Sequence, residues 1–433
     1  MAAKRYRFYL ESHVYIAVKG KALLLYNLVT GKFLFYADQP QLIEFILELK
    51  REENLYALEI SGEYLRRNGL RKFVDDLREH FMGDVVDISL SGKKPFLMPP
   101  VFDIRRKDRR PGRRTFKNVS KNSFLAIDEL TFFITADCDE DCAECSTAFK
   151  QFPWCTRGND KNELDLGDIK KILDETRACR IKKINIIGGN LNKYSRLDEL
   201  IYLLNSKPFR INYFIHFLHF KKEAKGKLTQ IGPGSNVCLL IDCSVLRTPD
   251  SLEYLKELRS DRFEFIFLIQ HEQDFLNLEK VIGESKINEI SVHPYYNDKN
   301  LDFFRENVFS DQKSLGETSL DVDAIKARQS YNTLNYGKIY IKSDKLIYSD
   351  LNASPLGTMN SISMAEAVVS ELKEQGNWLR VRRDVVPCKD CLLDAICPPL
   401  SGYEYATGIN NTCNLWNRYS SYINTAVPGR KQG

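Results

Sequence analysis

Between residues 129 and 296 the chain alternates short apolar runs with amphipathic ones. ELTFFIT (129–135), KKINIIGG (182–189), INYFIHFL (211–218), NVCLLIDCS (236–244), FEFIFLIQ (263–270) and NEISVHPYY (288–296) have strand length and are rich in β-branched and aromatic residues. Between them, LGDIKKILDETRACR, RLDELIYLLN, KKEAKGKLTQIG, SLEYLKELRSD and QDFLNLEKVIGE carry apolar residues at helical spacing. Strands alternating with helices predict parallel βαβ units, so the fold class is α/β. Six strands with crossovers predict an open, partial (β/α)6 barrel. Ligands in such sheets sit beyond the carboxyl ends of the strands.

The flanking segments have other rhythms. RFYLES, HVYIAVKG and ALLLYNLVTGKFLFY alternate as strands over 5–36, with a hairpin signal at NLVTGK. Helical periodicity follows at QLIEFILELK (41–50) and EYLRRNGLRKFVDDLREHF (63–81). This predicts a small α+β domain over 1–90. Residues 91–121, rich in Lys, Arg, Pro and Gly, read as a linker, and 122–325 as the barrel. In 326–433 the alternation stops: YGKIYIKSDKLIYSD predicts a β-hairpin and MAEAVVSELKEQGNWLRV a helix. The loop-rich tail after them cannot build a core by itself and is expected to rely on a metal.

Composition narrows the function classes. The 433 residues exceed one ordinary domain, and 43% are apolar, enough for a sizeable core. Net charge is +5, of which RRKDRRPGRR (105–114) carries +6, so the remainder is near −1. That balance argues against a nucleic-acid-coating surface. The basic run reads as a solvated linker, or as a contact for an acidic peptide or partner subunit. The longest membrane candidate, INYFIHFLHF, is too short and contains His216 and His219. The amino terminus lacks an uninterrupted apolar signal core, so a cytoplasmic, membrane-free protein is expected.

Eleven cysteines in such a chain do not suggest a disulfide framework. Four lie in 138–155 and four in 388–413, while Cys179, Cys238 and Cys243 are scattered and read as small apolar residues. In the first cluster, Cys138, Cys142 and Cys145 share a tight loop three residues beyond the first strand. Three thiolates there suit a cubane iron–sulfur cluster with one open iron; zinc with Cys155 as fourth ligand is the competing reading. In the second, Cys388-x2-Cys391-x5-Cys397 and then Cys413 read as a tetrathiolate site for Fe–S or zinc.

The Cys138-x3-Cys142-x2-Cys145 loop after the first strand of a six-strand array resembles the signature of the radical S-adenosylmethionine (radical SAM) superfamily. The resemblance implies a [4Fe–4S] cluster on those three cysteines, whose open iron chelates SAM. Two positions depart from the family pattern. Glu144 stands where an aromatic residue usually precedes the third cysteine, within an acidic stretch, Asp139, Glu140 and Asp141. Asn190 follows Gly188 and Gly189 where the family has Gly-Gly-Glu. Losing a charge-assisted contact costs roughly 1.5–3 kcal/mol, about ten- to a hundredfold in affinity. The departures put SAM binding in doubt and leave the cluster ligands in place.

The second cluster resembles the SPASM extension of peptide-modifying radical SAM enzymes. Position 401 is Ser where the family pattern continues with cysteine, and the cysteines expected around Tyr331 to Asp350 are absent. The four that remain match one auxiliary [4Fe–4S] cluster. The amino-terminal domain resembles the recognition element of ribosomally made, post-translationally modified peptide (RiPP) systems, with GKFLFY (31–36) as the candidate edge strand for a leader peptide. Together these features resemble the pseudo-radical-SAM proteins of GG-Bacteroidales peptide-modification systems. The resemblance implies an accessory, precursor-binding partner of a genuine radical SAM maturase, with a heterodimer as the expected form. The alternative is an active peptide maturase making a crosslink, thioether or epimer; a plain zinc scaffold ranks third.

Overall fold

The computed structural model describes residues 4–54, 56–66, 69–91, 101–102, 126–158, 161–223, 231–232, 234–242, 245, 248–258, 263–284, 289–317, 320–374 and 376–415. The basic run 105–114, most of the 91–121 linker and Cys243 lie outside the described residues.

The amino-terminal strands divide between two sheets. Strand β1 (Arg5–Leu10) pairs antiparallel with β5 (Ala57–Ser61) and β6 (Gly83–Asp87). Strands β2 (Val14–Lys19), β3 (Ala22–Asn27) and β4 (Phe33–Ala37) form an antiparallel meander, with the two-residue β7 (Val101–Phe102) parallel to β2. The expected hairpin is the β3–β4 pair, and β4 is an outer strand. The single helix expected over 63–81 is two, Gly62–Arg66 and Leu70–Glu79, because Gly69 takes φ +73° between them.

Strand β3 is apolar at nearly every position because both sheet faces are covered. Ile16, Leu23 and Leu25 pack on the helices Pro40–Leu49 and Leu70–Glu79 through Phe45, Ile46 and Phe73. On the opposite face, Tyr15, Leu24 and Tyr26 pack on Leu392, Leu393 and Ile396 from the carboxyl-terminal region. The amino-terminal strands are thereby seated on the segment that carries the second cysteine cluster.

All six expected strands of the central array are present: β8 (Glu129–Phe133), β9 (Lys183–Ile187), β10 (Arg210–His216), β11 (Ser235–Ile241), β12 (Phe263–Ile269) and β13 (Ile290–Pro294). They are parallel and neighbour each other in chain order. The carboxyl-terminal hairpin of β14 (Lys338–Ile341) and β15 (Leu346–Tyr348) extends the same sheet. Strand β14 pairs in parallel with β8, and β16 (Gly357–Thr358) closes that end.

One face of this sheet is covered by helices including Leu166–Glu175 and Leu197–Asn205. The other carries Phe133, Ile187, Phe214, Cys238, Leu240 and Leu268. Against it the loop after β8 folds back, inserting Phe152, Trp154 and Cys155. Trp154 is fully buried. Burying on the order of 200 Å² of indole contributes about 5 kcal/mol. Its ring N–H has no partner among the described residues, which costs about 1–3 kcal/mol, so the apolar term wins and the loop is anchored.

Candidate metal centres

The first centre is built at the carboxyl end of the parallel sheet. After β8 the backbone stays beside β9: Gly189 N–H donates to the Thr135 carbonyl at 2.9 Å and Asn190 N–H to that of Asp137 at 2.7 Å. Glycine is required for this approach. A Cβ on Gly189 would lie 2.3 Å from the Asp137 carbonyl oxygen and 3.1 Å from the Cys138 Cβ. The Gly188–Gly189 pair therefore fixes the start of the cysteine loop. Asn190 is buried, and its Oδ1 accepts the Asn192 N–H at 3.1 Å, capping the short helical turn Leu191–Lys193.

Cys138 and Cys142 are partly buried, Cys145 and Cys155 buried. Cys145 accepts hydrogen bonds from Cys142 and Cys155, which hold its thiol well below the usual range. The same contact, with burial, pushes Cys142 up, and Cys155 likewise. Burial pushes Cys138 up. Cys138 Sγ lies 3.4 Å from His219 Nε2. His219 is buried, its Nδ1 has no partner among the described residues, and burial pushes its pKa down to about 4.

Two further strand ends converge here. His216 is the last residue of β10 and Asp242 directly follows β11. Their Nε2 and Oδ2 are 3.0 Å apart, and both side chains are almost wholly buried. Donor atoms of Cys142, His216 and Asp242 all lie within 4.8 Å of one another. Sequence reasoning missed this pair. The available signal was a polar residue directly ending an apolar strand, INYFIH and CLLID, at the sheet edge where ligands bind.

The acidic loop is compensated rather than bare. Asp139 pairs with Lys193 and Glu140 with Lys222; Asp141 lies 3.3 Å from Arg157. Glu144 accepts from Gln270 Nε2 at 2.9 Å, and burial raises its pKa. It faces a cleft of about 540 Å³ shared with Lys150, Gln270, Tyr295, Asn297 and Tyr405.

The second centre brings together all four expected cysteines. Cys388, Cys391, Cys397 and Cys413 line one small cavity, about 20 Å³, with Arg382 and Thr412. Cys413 reaches it because Ser310 N–H donates to the Thr412 carbonyl at 3.0 Å and Asn414 N–H to that of Ser310 at 3.0 Å. The Leu393 N–H points at Cys391 Sγ, 3.5 Å away. The buried Arg382 guanidinium lies near Cys388 and Cys397 and opposes the charge a thiolate set would carry. Thiolates, an N–H donor to sulfur and a buried cation fit a tetrathiolate metal or cluster. Cys179 and Cys238 are buried within apolar clusters instead.

No protein-family model matches the chain, and no curated protein matches it. Solved structures of SuiB from Streptococcus suis are similar to it. SuiB bound to S-adenosylmethionine is 13% identical with a TM-score of 0.45, covering 90% of this chain and 94% of that one. SuiB bound to precursor peptide SuiA is 15% identical with a TM-score of 0.44, over the same shares. A further SuiB structure is 12% identical with a TM-score of 0.40, covering 82% of this chain and 87% of that one.

Proposed function

We propose that the chain is a degenerate member of the radical SAM/SPASM superfamily, of the pseudo-radical-SAM kind, that serves a RiPP maturase as accessory, precursor-binding subunit. The observation that carries this reading is Asn190. At the position where a catalytic relative contacts the cosubstrate's amino group, this side chain is neutral, buried and committed to capping Leu191–Lys193. The first centre also differs from an open three-thiolate site. Donor atoms of His216 and Asp242 lie within 4.8 Å of the Cys142 sulfur, so the protein's own side chains offer non-thiolate ligands where an open iron would face the cosubstrate. These residues do not fit a cubane with a free iron for SAM, and no catalytic step is assigned to them.

The second centre fits one auxiliary [4Fe–4S] cluster held by Cys388, Cys391, Cys397 and Cys413. It would supply electron transfer or structural support. Ser401, where a further cysteine would stand, instead caps the helix Gly402–Thr407: its hydroxyl accepts the Tyr403 N–H at 3.2 Å and donates to Glu404 at 2.7 Å.

For the peptide, β4 offers an edge. Asn27 N–H donates to the Lys32 carbonyl and Asp38 N–H to that of Lys21. This parity turns the backbone N–H groups of Phe33 and Ala37 away from β3, toward the outer side of the sheet. Beside the edge runs the helix Leu70–Glu79, tied to β4 where the Tyr36 hydroxyl donates to Asp76 at 2.7 Å. An extended leader peptide added there meets strand backbone and helix side chains together. Equilibrium dialysis with labelled SAM tests the reading: reconstituted protein is expected to retain none, and stoichiometric retention at micromolar SAM overturns it.

A further inference from the structure

We propose that Cys142, His216 and Asp242, completed by Cys145, hold a single divalent ion of the zinc class. The proposal rests on the reading that this centre no longer handles a cosubstrate, and it names what the centre binds instead.

The three donors come from three separate elements: the loop after β8, the end of β10 and the residue after β11. Such convergence is built by the sheet and not by local sequence. Bond lengths of about 2.3 Å to sulfur, 2.0 Å to nitrogen and 2.1 Å to oxygen place tetrahedral donors roughly 3.3–3.8 Å apart. The donor atoms of Cys142, His216 and Asp242 lie within 4.8 Å of one another, so a small closure brings these three onto one ion. His216 Nε2 and Asp242 Oδ2 are already at 3.0 Å. They share a hydrogen that an ion would replace. The other carboxylate oxygen accepts the Val245 N–H at 3.2 Å, which aims Oδ2 at the imidazole.

Cys145, buried on the same loop and hydrogen-bonded to Cys142, is the thiol at hand for the fourth position; it stands outside the group of donors within 4.8 Å and must move in when the ion binds. The non-thiolate donors separate the two metal chemistries: a cubane takes the three thiolates on three irons, whereas one ion takes Cys142, His216 and Asp242 together. Thiolate, imidazole and carboxylate together suit zinc, whereas magnesium and calcium select oxygen alone. Cys138 stands outside the donor set, 3.4 Å from His219 Nε2, and Cys155 donates to Cys145 from the buried side. The alternative is a buried His–Asp hydrogen bond that happens to lie near two thiols, and it is an outcome of the test.

The experiment uses the full chain, reduced, stripped with chelator under anaerobic conditions and titrated with zinc alone. Wild type is expected to retain one zinc more per chain than Cys142→Ser. Asp242→Asn, nearly isosteric and able to keep a hydrogen bond to His216, is expected to weaken that zinc at least tenfold while circular dichroism stays unchanged. A measurement on wild type needs no variant: X-ray absorption of the zinc-loaded protein should show nitrogen or oxygen beside sulfur. A sulfur-only shell overturns the proposal, as does equal zinc retention in wild type and folded Asp242→Asn. So does iron–sulfide reconstitution that adds about four irons at this centre and is not displaced by zinc. Failure of the zinc result without SAM cleavage removes only this proposal; SAM cleavage removes the accessory reading with it.

Discussion

Arg382 Nη2 lies 2.7 Å from Glu404 Oε1, and both side chains are almost completely buried. The same carboxylate accepts from the Ser401 N–H at 2.8 Å and the Thr412 hydroxyl at 2.8 Å. Arg382 Nε in turn donates to the Pro398 carbonyl at 2.6 Å. One buried ion pair thus joins the Ser401 cap to the wall of the four-cysteine cavity. Removing one partner leaves a buried charge unpaired, which costs about 3–5 kcal/mol. Glu404→Ala is expected to lose that much by chemical denaturation and to lower the metal content at Cys388, Cys391, Cys397 and Cys413. A loss below about 1 kcal/mol would show that the pair is incidental.

Metal at the second centre is expected to stiffen the amino-terminal domain. Lys19 Nζ donates to the carbonyls of Lys389 at 2.9 Å and Cys391 at 2.6 Å, and lies 3.0 Å from Asp394. Tyr15 and Leu24 pack on Leu392 and Leu393, within the same loop. Stripping the metal should raise amide hydrogen exchange over Val14–Lys19 and Ala22–Asn27 while leaving β9 and β10 protected. Unchanged exchange in the amino-terminal strands would uncouple the domain from the cysteines.

Leader binding at β4 is tested by Phe33→Pro. The lost N–H points to the outer side of the sheet, so the β3–β4 ladder survives while pairing with an added strand does not. Affinity for the precursor's leader peptide, read by fluorescence anisotropy, is expected to fall at least tenfold with the domain still folded. Unchanged affinity would exclude this edge.

Much of this architecture was legible in the chain. The six central strands follow from apolar runs separated by helical periods, and all four cysteines of the second centre follow from their spacing. The rest depends on long-range pairing. Strands β1 and β2 look alike in sequence, yet they join different sheets because their partners, β5 and β3, lie at different distances along the chain. Strand β14 reads as a local hairpin, and its parallel pairing with β8 is invisible before folding. His216 and Asp242 are 26 residues apart and meet only because β10 and β11 are neighbours in register. The acidic loop looks uncompensated in sequence because Lys193, Lys222 and Arg157 arrive from elsewhere.

Gly189 and Asn190 are expected to act through backbone geometry. Gly189→Ala forces a Cβ against the Asp137 carbonyl, and such overpacking costs about 1–3 kcal/mol. It should also loosen the metal at the first centre. Asn190→Ala removes a cap worth about 0.5–2 kcal/mol, a loss read by chemical denaturation. Unchanged stability would show that the Asn192 contact is incidental.

The central claim is that the first centre has kept its thiols and lost its cosubstrate chemistry. The most direct measurement is formation of 5′-deoxyadenosine by the anaerobically reconstituted, reduced protein supplied with SAM. The account predicts no product above that of Cys142→Ala. Turnover well above that control would contradict it and make the chain an active radical SAM enzyme.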